Sequence, residues 1–376
     1  MIYDGHAYCF PDLRGDGGFA DPQQFRRHLQ LSIGRHFQPA WRKRDRAPAD
    51  NSGTVDPSGG WSFHDLREGS FRPTSHGRFE WMVGGEGYVK QYMPPSVVDM
   101  AYSAEALVAE MDYAGVDKAL VHRTPYLGIS NEFVADCVRA FPDRLQGLAY
   151  VEEWTVRPDP DAAIAKLDRS INELGLAGLQ VLSDNLPLYG QSEDLNAPAF
   201  TPFWEALSKL KVPLFVTPSY SSLASVGSPV EGLTSQLKML RTWMDSYPDV
   251  DVVFTHGLSW RMFIDGGGLA IPDEVFDAAP VENPRFHMQL LFPIFLGGIW
   301  DYPMIQVRPT MEVLVDRFGP DRLIWGTDMP IVMRFYTYRQ CLDHMRACAD
   351  FLAAADLDLI LGGNMARLMG VEGRAA

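Results

Sequence analysis

The chain has 376 residues, 46% hydrophobic and 22% charged, which is the make-up of a folded globular protein rather than a disordered or membrane-embedded one. A formal charge of −15, from 33 basic and 48 acidic residues, argues against the clustered Lys and Arg surface that nucleic-acid phosphates require. Four cysteines (Cys9, Cys137, Cys341, Cys348) form no CxxC pair, so neither a zinc ribbon nor a disulfide framework is indicated. No apolar run reaches the length of a membrane span. With the first strand starting near residue 2, the expected location is a reducing cytoplasm.

The opening stretch "MIYDGHAYCF" reads as a first strand. Residues 11 to about 100 follow, rich in Gly, Pro, Ser, aromatics and charge, without clear periodicity. So long a stretch between strands is expected to be an insertion or lid over an active site rather than a connector. Metal-capable His64, Glu68, His76 and Glu80 sit in it among aromatics.

From residue 100 onward short aliphatic runs alternate with amphipathic segments. The strands are expected at 117–123, 145–151, 176–182, 212–218, 251–257, 285–291 and 321–328. Helical spacing marks 103–115, 161–175, 202–210, 235–247 and 310–319. With the opening strand this gives eight βα units, which predict a single (β/α)₈ TIM barrel over 1–376. The closing "DLDLILGGNMARLMG" predicts a turn and a last helix packing outside the barrel. No GxGxxG or GxxxxGK[ST] follows a strand, which lowers dinucleotide and P-loop readings.

Catalytic groups in such barrels project from the C-terminal strand ends. Those ends carry His6 and Tyr8, His122 and Arg123, Thr217, His256 and Asp328. Each has a plain structural reading: a buried imidazole bonded to backbone, or a phenol bonded to a carboxylate. Arg123 either clamps a substrate carboxylate or pairs with a structural one.

Taken together, "DGHAYCFP", "AEMDYAGVDKALV", "FPDRLQGLAYV", "ELGLAGLQVL", "KVPLFVTP", "DVVFTHG", "DRLIWGTDMP" and "ILGGNMARLMG" resemble, in this order, the amidohydrolase superfamily. The similarity is to the branch of aminocarboxymuconate semialdehyde decarboxylase and the resorcylate decarboxylases. It implies metal ligands at His6 and Asp328, with His256 catalytic or ligating. Tyr8 and Thr217 stand where that branch would place two further histidines. A Tyr beside His, Asp and Glu is a hard, iron-like donor set. In this the chain resembles the amidohydrolase-fold non-haem dinuclear iron or Mn/Fe monooxygenases, such as the platensimycin-pathway and 2-aminoisobutyrate hydroxylases.

That second resemblance implies a dinuclear Fe/Fe or Mn/Fe centre on His6, Tyr8, Glu80, His122, His256 and Asp328, with His256 and Arg123 in catalytic roles. The expected function is O₂-dependent hydroxylation of an aliphatic C–H in a small organic acid, with an external electron donor and a homo- or hetero-oligomeric state. The alternatives are a decarboxylase or hydrolase with a single Zn or Mn and His256 as acid–base group, and a non-catalytic barrel subunit.

Overall fold

The computed structural model describes residues 1–67, 69–192, 194–218 and 228–371; Glu68 lies outside the described residues. Eight short parallel strands form the core: β1 (Tyr3–Ala7), β2 (Lys118–Val121), β3 (Leu145–Gly147, resuming at Ala149–Tyr150), β4 (Leu179–Leu182), β5 (Leu214–Thr217), β6 (Val252–Phe254), β7 (Phe286–Leu290) and β8 (Leu323–Trp325). Each strand pairs in parallel with the next in sequence. The ring closes where Ala7 bridges Met329, with Tyr8 N–H donating to Met329 O and Asp328 N–H to His6 O, both at 2.8 Å. The fold is thus a (β/α)₈ barrel, and closure joins the two chain segments that carry His6, Tyr8 and Asp328.

Local signals explain the helices. The Ser103 side chain accepts from Ala106 N–H at the start of the helix Ala104–Ala114, which stops at Gly115 with φ of 78°. Ser228 with Glu231, and Thr337 with Gln340, form capping boxes at the starts of Pro229–Ser246 and Tyr338–Cys348.

The barrel interior has two layers of different chemistry. The lower one is apolar: Tyr3, Leu120, Leu148, Phe215, Val253 and Ile324 cluster with Met365, Ala366 and Met369 of the closing segment. This corrects the expectation that the last helix packs outside the barrel. The segment seals the barrel's N-terminal end, because Gly362 has no Cβ to collide with Met1 O and the chain can pass close beneath β1. The upper layer is polar and buried: His6, His122, Gln180, Thr217, Thr255 and Gln289.

Residues 11–100 contain regular structure that their composition hid. A helix, Pro22–Arg35, starts at the Asp21 cap, with Pro22 at its first position. It is followed by a five-stranded antiparallel sheet in the order Pro48–Ala49, Ala40–Arg42, Glu86–Gln91, Arg78–Val83, Arg72–Pro73. Its central hairpin turns through Gly84 and Gly85, both at positive φ (56° and 83°), which a two-residue hairpin of this kind demands. Lys90, fully buried, donates to Ile33 O and His36 O at 2.7 Å each and so caps the end of the helix. Among the described residues, no helix is long and apolar enough to cross a membrane.

Candidate metal centre and active-site cavity

A cavity of about 550 Å³ opens over the C-terminal strand ends. The barrel contributes Tyr8, Gln180, Thr217, His256 and Asp328 to its lining, and residues 11–100 contribute Arg35, His36, Phe37, Trp61 and Tyr92. Apolar lining includes Ile294 and Phe295 from the segment that follows β7.

At the floor, His6 Nε2 and His256 Nε2 each lie 3.5 Å from Asp328 Oδ1. Donor atoms of these three residues all fall within 4.8 Å of one another. Two donors on one tetrahedral zinc, each at about 2.1 Å from it, lie about 3.4 Å apart, so this spacing suits a single shared cation. A His₂Asp set also suits Mn. His256 and Asp328 both hold left-handed backbone (φ 64° and 69°) at the strand exits. Such conformations cost roughly 1–3 kcal/mol each and occur where the surrounding structure holds a side chain in a set direction.

Hydrogen bonds fix the orientation of His6. The Gln289 amide donates through Nε2 to Gly5 O at 2.7 Å and accepts through Oε1 from His6 Nδ1 at 2.8 Å. The ring proton therefore sits on Nδ1 and the Nε2 lone pair faces the cluster. Tyr8 Oη lies 2.9 Å from that Nε2. Burial first, then the neighbouring His122 and His256, holds His6 well below the ordinary imidazole value, so the ring is neutral. The Asp4 carboxylate, accepting from His6 N–H at 2.9 Å, Thr327 N–H at 3.1 Å and Tyr338 OH at 2.7 Å, locks β1 to the loop after β8. Burial pushes Asp4 up to about 7.

The remaining expected site residues lie elsewhere or are otherwise engaged. His122 stacks on His6 with ring centroids 3.6 Å apart, but its Nε2 donates to Gly5 O at 2.8 Å. Burial lowers it to about 3. Glu80, expected to complete or bridge the centre, instead pairs with Lys43 Nζ at 2.7 Å and Arg72 at 3.8 Å on the antiparallel sheet, because the hairpin register puts it beside those cations. Arg123, expected to clamp substrate, is fully buried. Its guanidinium donates to Cys9 O at 3.0 Å and to Gly128 O, tying the end of β1 to the loop at 125–128. His64 and His76 are exposed. Thr217, in place of an expected histidine, bonds Thr255 Oγ1 at 2.9 Å and accepts from Gln180 Nε2 at 3.3 Å.

Reading the strand ends alone missed Gln289 and Gln180. The signal was a glutamine inside a largely apolar strand, "FHMQL" and "LQVL". An amide buried there needs partners, and partners mark a polar layer.

The amidohydrolase family model (Amidohydro_2) matches residues 74–371. The chain is 25% identical to the 2-amino-3-carboxymuconate-6-semialdehyde decarboxylase of Dictyostelium discoideum, over 64% of this chain and 66% of that protein. It is 31% identical to the gamma-resorcylate decarboxylase of Rhizobium sp. (strain MTP-10005), over 64% of this chain and 81% of that one. Among solved structures, a 2,6-dihydroxybenzoate decarboxylase complexed with 2,6-dihydroxybenzoate superposes with a TM-score of 0.53 at 20% identity, covering 75% of this chain and 91% of that chain.

These relatives overturn the expected O₂-dependent hydroxylase: they are decarboxylases. The geometry explains how the sequence misled. Tyr8 Oη lies 2.9 Å from His6 Nε2, but the second donor group expected from Glu80 and His122 is spent on Lys43, Arg72 and Gly5 O. Neither a second metal nor an oxygen-activating role has support. The family match extends across most of the barrel, and the chain belongs to the amidohydrolase family.

Proposed function

We propose that this protein is a metal-dependent decarboxylase of a small organic acid, with one divalent cation held by His6, His256 and Asp328. The observation that carries the reading is the approach of two imidazole Nε2 atoms to the same Asp328 oxygen, 3.5 Å each, on the floor of the cavity. The decarboxylase relatives support the reaction class, and the donor set supports Zn or Mn rather than a dinuclear iron centre. A cation bound there supplies Lewis-acid polarisation of a substrate oxygen.

The chain's own residues do the rest. Gln289 keeps the His6 proton on Nδ1 and so presents Nε2 to the cluster. Tyr8 carries a proton on Oη at the cavity wall, beside His6. When the C–C bond to the carboxylate breaks, the electron pair stays on the substrate carbon and the Tyr8 proton takes the place of CO₂. Residues 11–100 act as a wall and lid that limit water over the reacting carbon.

The test is CO₂ release from a panel of ortho-hydroxybenzoic acids by protein reconstituted with Mn²⁺ or Zn²⁺, in D₂O. One deuterium at the vacated carbon is expected, with loss of activity in His256→Ala and Asp328→Asn. Tyr8→Phe should lower kcat by roughly 10²–10⁴-fold, the range for a positioned proton donor. A loaded protein that leaves the whole panel intact would sink the reading.

A further inference from the structure

The cavity wall beyond β3 and β4 is built around a buried carboxylate. Glu153, three residues past the end of β3, is 2% exposed. Its Oε1 accepts from Leu182 N–H and its Oε2 from Tyr150 Oη, both at 2.7 Å. Asn185, also buried and three residues past the end of β4, directs its Nδ2 at the same pair. That nitrogen lies 3.0 Å from Glu153 Oε2 and 3.1 Å from Tyr150 Oη. The Tyr150 backbone is bonded to both ends of the Asn131 amide at 2.9 Å each, so its ring is anchored from behind. None of these side chains takes part in the metal cluster or in the proton transfer from Tyr8.

The order of these bonds decides which way the Asn185 amide faces. Tyr150 spends its one proton on Glu153 and can only accept a further bond. An ionised carboxylate likewise only accepts. Burial pushes Glu153 up to about 7, so at pH 8 it is ionised. Both neighbours therefore need a donor, which puts Nδ2 against them and turns Oδ1 away. That oxygen has no hydrogen-bond partner among the described residues, yet it is not sealed in the interior, and Asn185 lines the cavity. It is an acceptor of fixed direction, strengthened by the carboxylate bonded to the other end of the same amide. Asp184 lines the same wall, so this side of the cavity favours donors over anions.

We propose that Asn185 Oδ1 is a specificity-determining contact that receives an O–H or N–H of the substrate, with Glu153 as the positioning residue that keeps the amide turned toward the cavity. The substrate is then an acid that bears a hydroxyl or amino group away from the carboxylate at the metal cluster. A group without a proton set against Oδ1 leaves a desolvated acceptor unpaired, and that penalty is the source of the discrimination. The choice of an acid as substrate rests on the decarboxylase reading, whereas the Asn185 contact is read by binding alone.

The experiment is calorimetric titration of the Mn²⁺-loaded protein at pH 8 with benzoates carrying hydroxyl, amino, fluoro or acetyl at ring position 3 or 4. Fluoro resembles hydroxyl in size but has no proton, and acetyl offers an acceptor alone. Wild type should bind at least one hydroxy- or aminobenzoate about tenfold or more tightly than its fluoro counterpart, equivalent to about 1.4 kcal/mol. Which of the two leads tells hydroxyl from amine. Asn185→Leu should bring that ratio toward one. In Glu153→Gln the new amide can donate to Asn185 Oδ1, so the Asn185 amide turns over, presents Nδ2 to the cavity, and the preference should pass to an acetylbenzoate. A purely structural role would weaken all ligands together without moving the preference. Near-UV circular dichroism checks that each variant is folded. No donor preference in wild type, or one that survives both substitutions, overturns the contact. A ratio that behaves as expected while no acid loses CO₂ overturns the decarboxylase reading and leaves the contact standing.

Discussion

Gln289 shows how much of the centre depends on a side chain outside it. Its amide holds the His6 tautomer on one side and the β1 backbone on the other, at 2.8 and 2.7 Å. Gln289→Leu leaves His6 Nδ1 buried and unpaired and Gly5 O held by His122 alone, and lets the His6 proton migrate to Nε2. The expected result is metal affinity lower by roughly 10- to 100-fold, the usual effect of removing an orienting partner. A chelator competition assay measures it; an unchanged affinity would mean that the cluster sets its own orientation.

The helix Pro22–Arg35 is the element that brings Arg35, His36 and Phe37 to the cavity, and Lys90 is what ends it there. Lys90→Met strands two buried carbonyls, at an expected cost of about 2 kcal/mol by denaturant unfolding. The pH dependence of stability gives a second readout. Burial, and secondarily Arg334, pushes Lys90 down to about 7 from 10.5. The folded value lies below the unfolded one, so between about pH 7 and 10.5 the unfolded chain binds the extra proton. Lys90 therefore makes stability rise with pH through that window. In Lys90→Met the rise should be shallower than in wild type; identical slopes would show that the amine is not desolvated.

At the scale of the molecule, the barrel separates stability from chemistry. Met365 belongs to the apolar layer with Tyr3 and Ile324, at the end away from the strand termini that bear His256 and Asp328. Met365→Ala should destabilise by about 2–4 kcal/mol, the range for a large-to-small core change. Metal affinity, measured on the folded variant, should not move. A matching fall in metal affinity would mean that packing at the sealed end is transmitted to the site.

The eight-strand alternation and the strand ends that carry His6, His256 and Asp328 were legible in the sequence, because strand period and the residues at strand ends are local properties; singling out those three among the strand-end residues came only from the resemblance to the amidohydrolases. The segment 11–100 was legible only as an insertion. Its strands are short and interrupted by Gly and Pro, so pairing between distant residues, such as Ala40 with Lys90, defines them rather than any run of their own. Glu80 and Arg123 were chosen for their chemistry, and chemistry cannot say which partner lies within 3 Å; the hairpin register gave one to Lys43 and the end of β1 gave the other to backbone carbonyls. Sequence by itself determined the barrel and the order in which its strand ends supply side chains. Only barrel closure decided that His6 and Asp328, more than three hundred residues apart, face one another, since nothing local to either residue specifies a contact made by completing the ring.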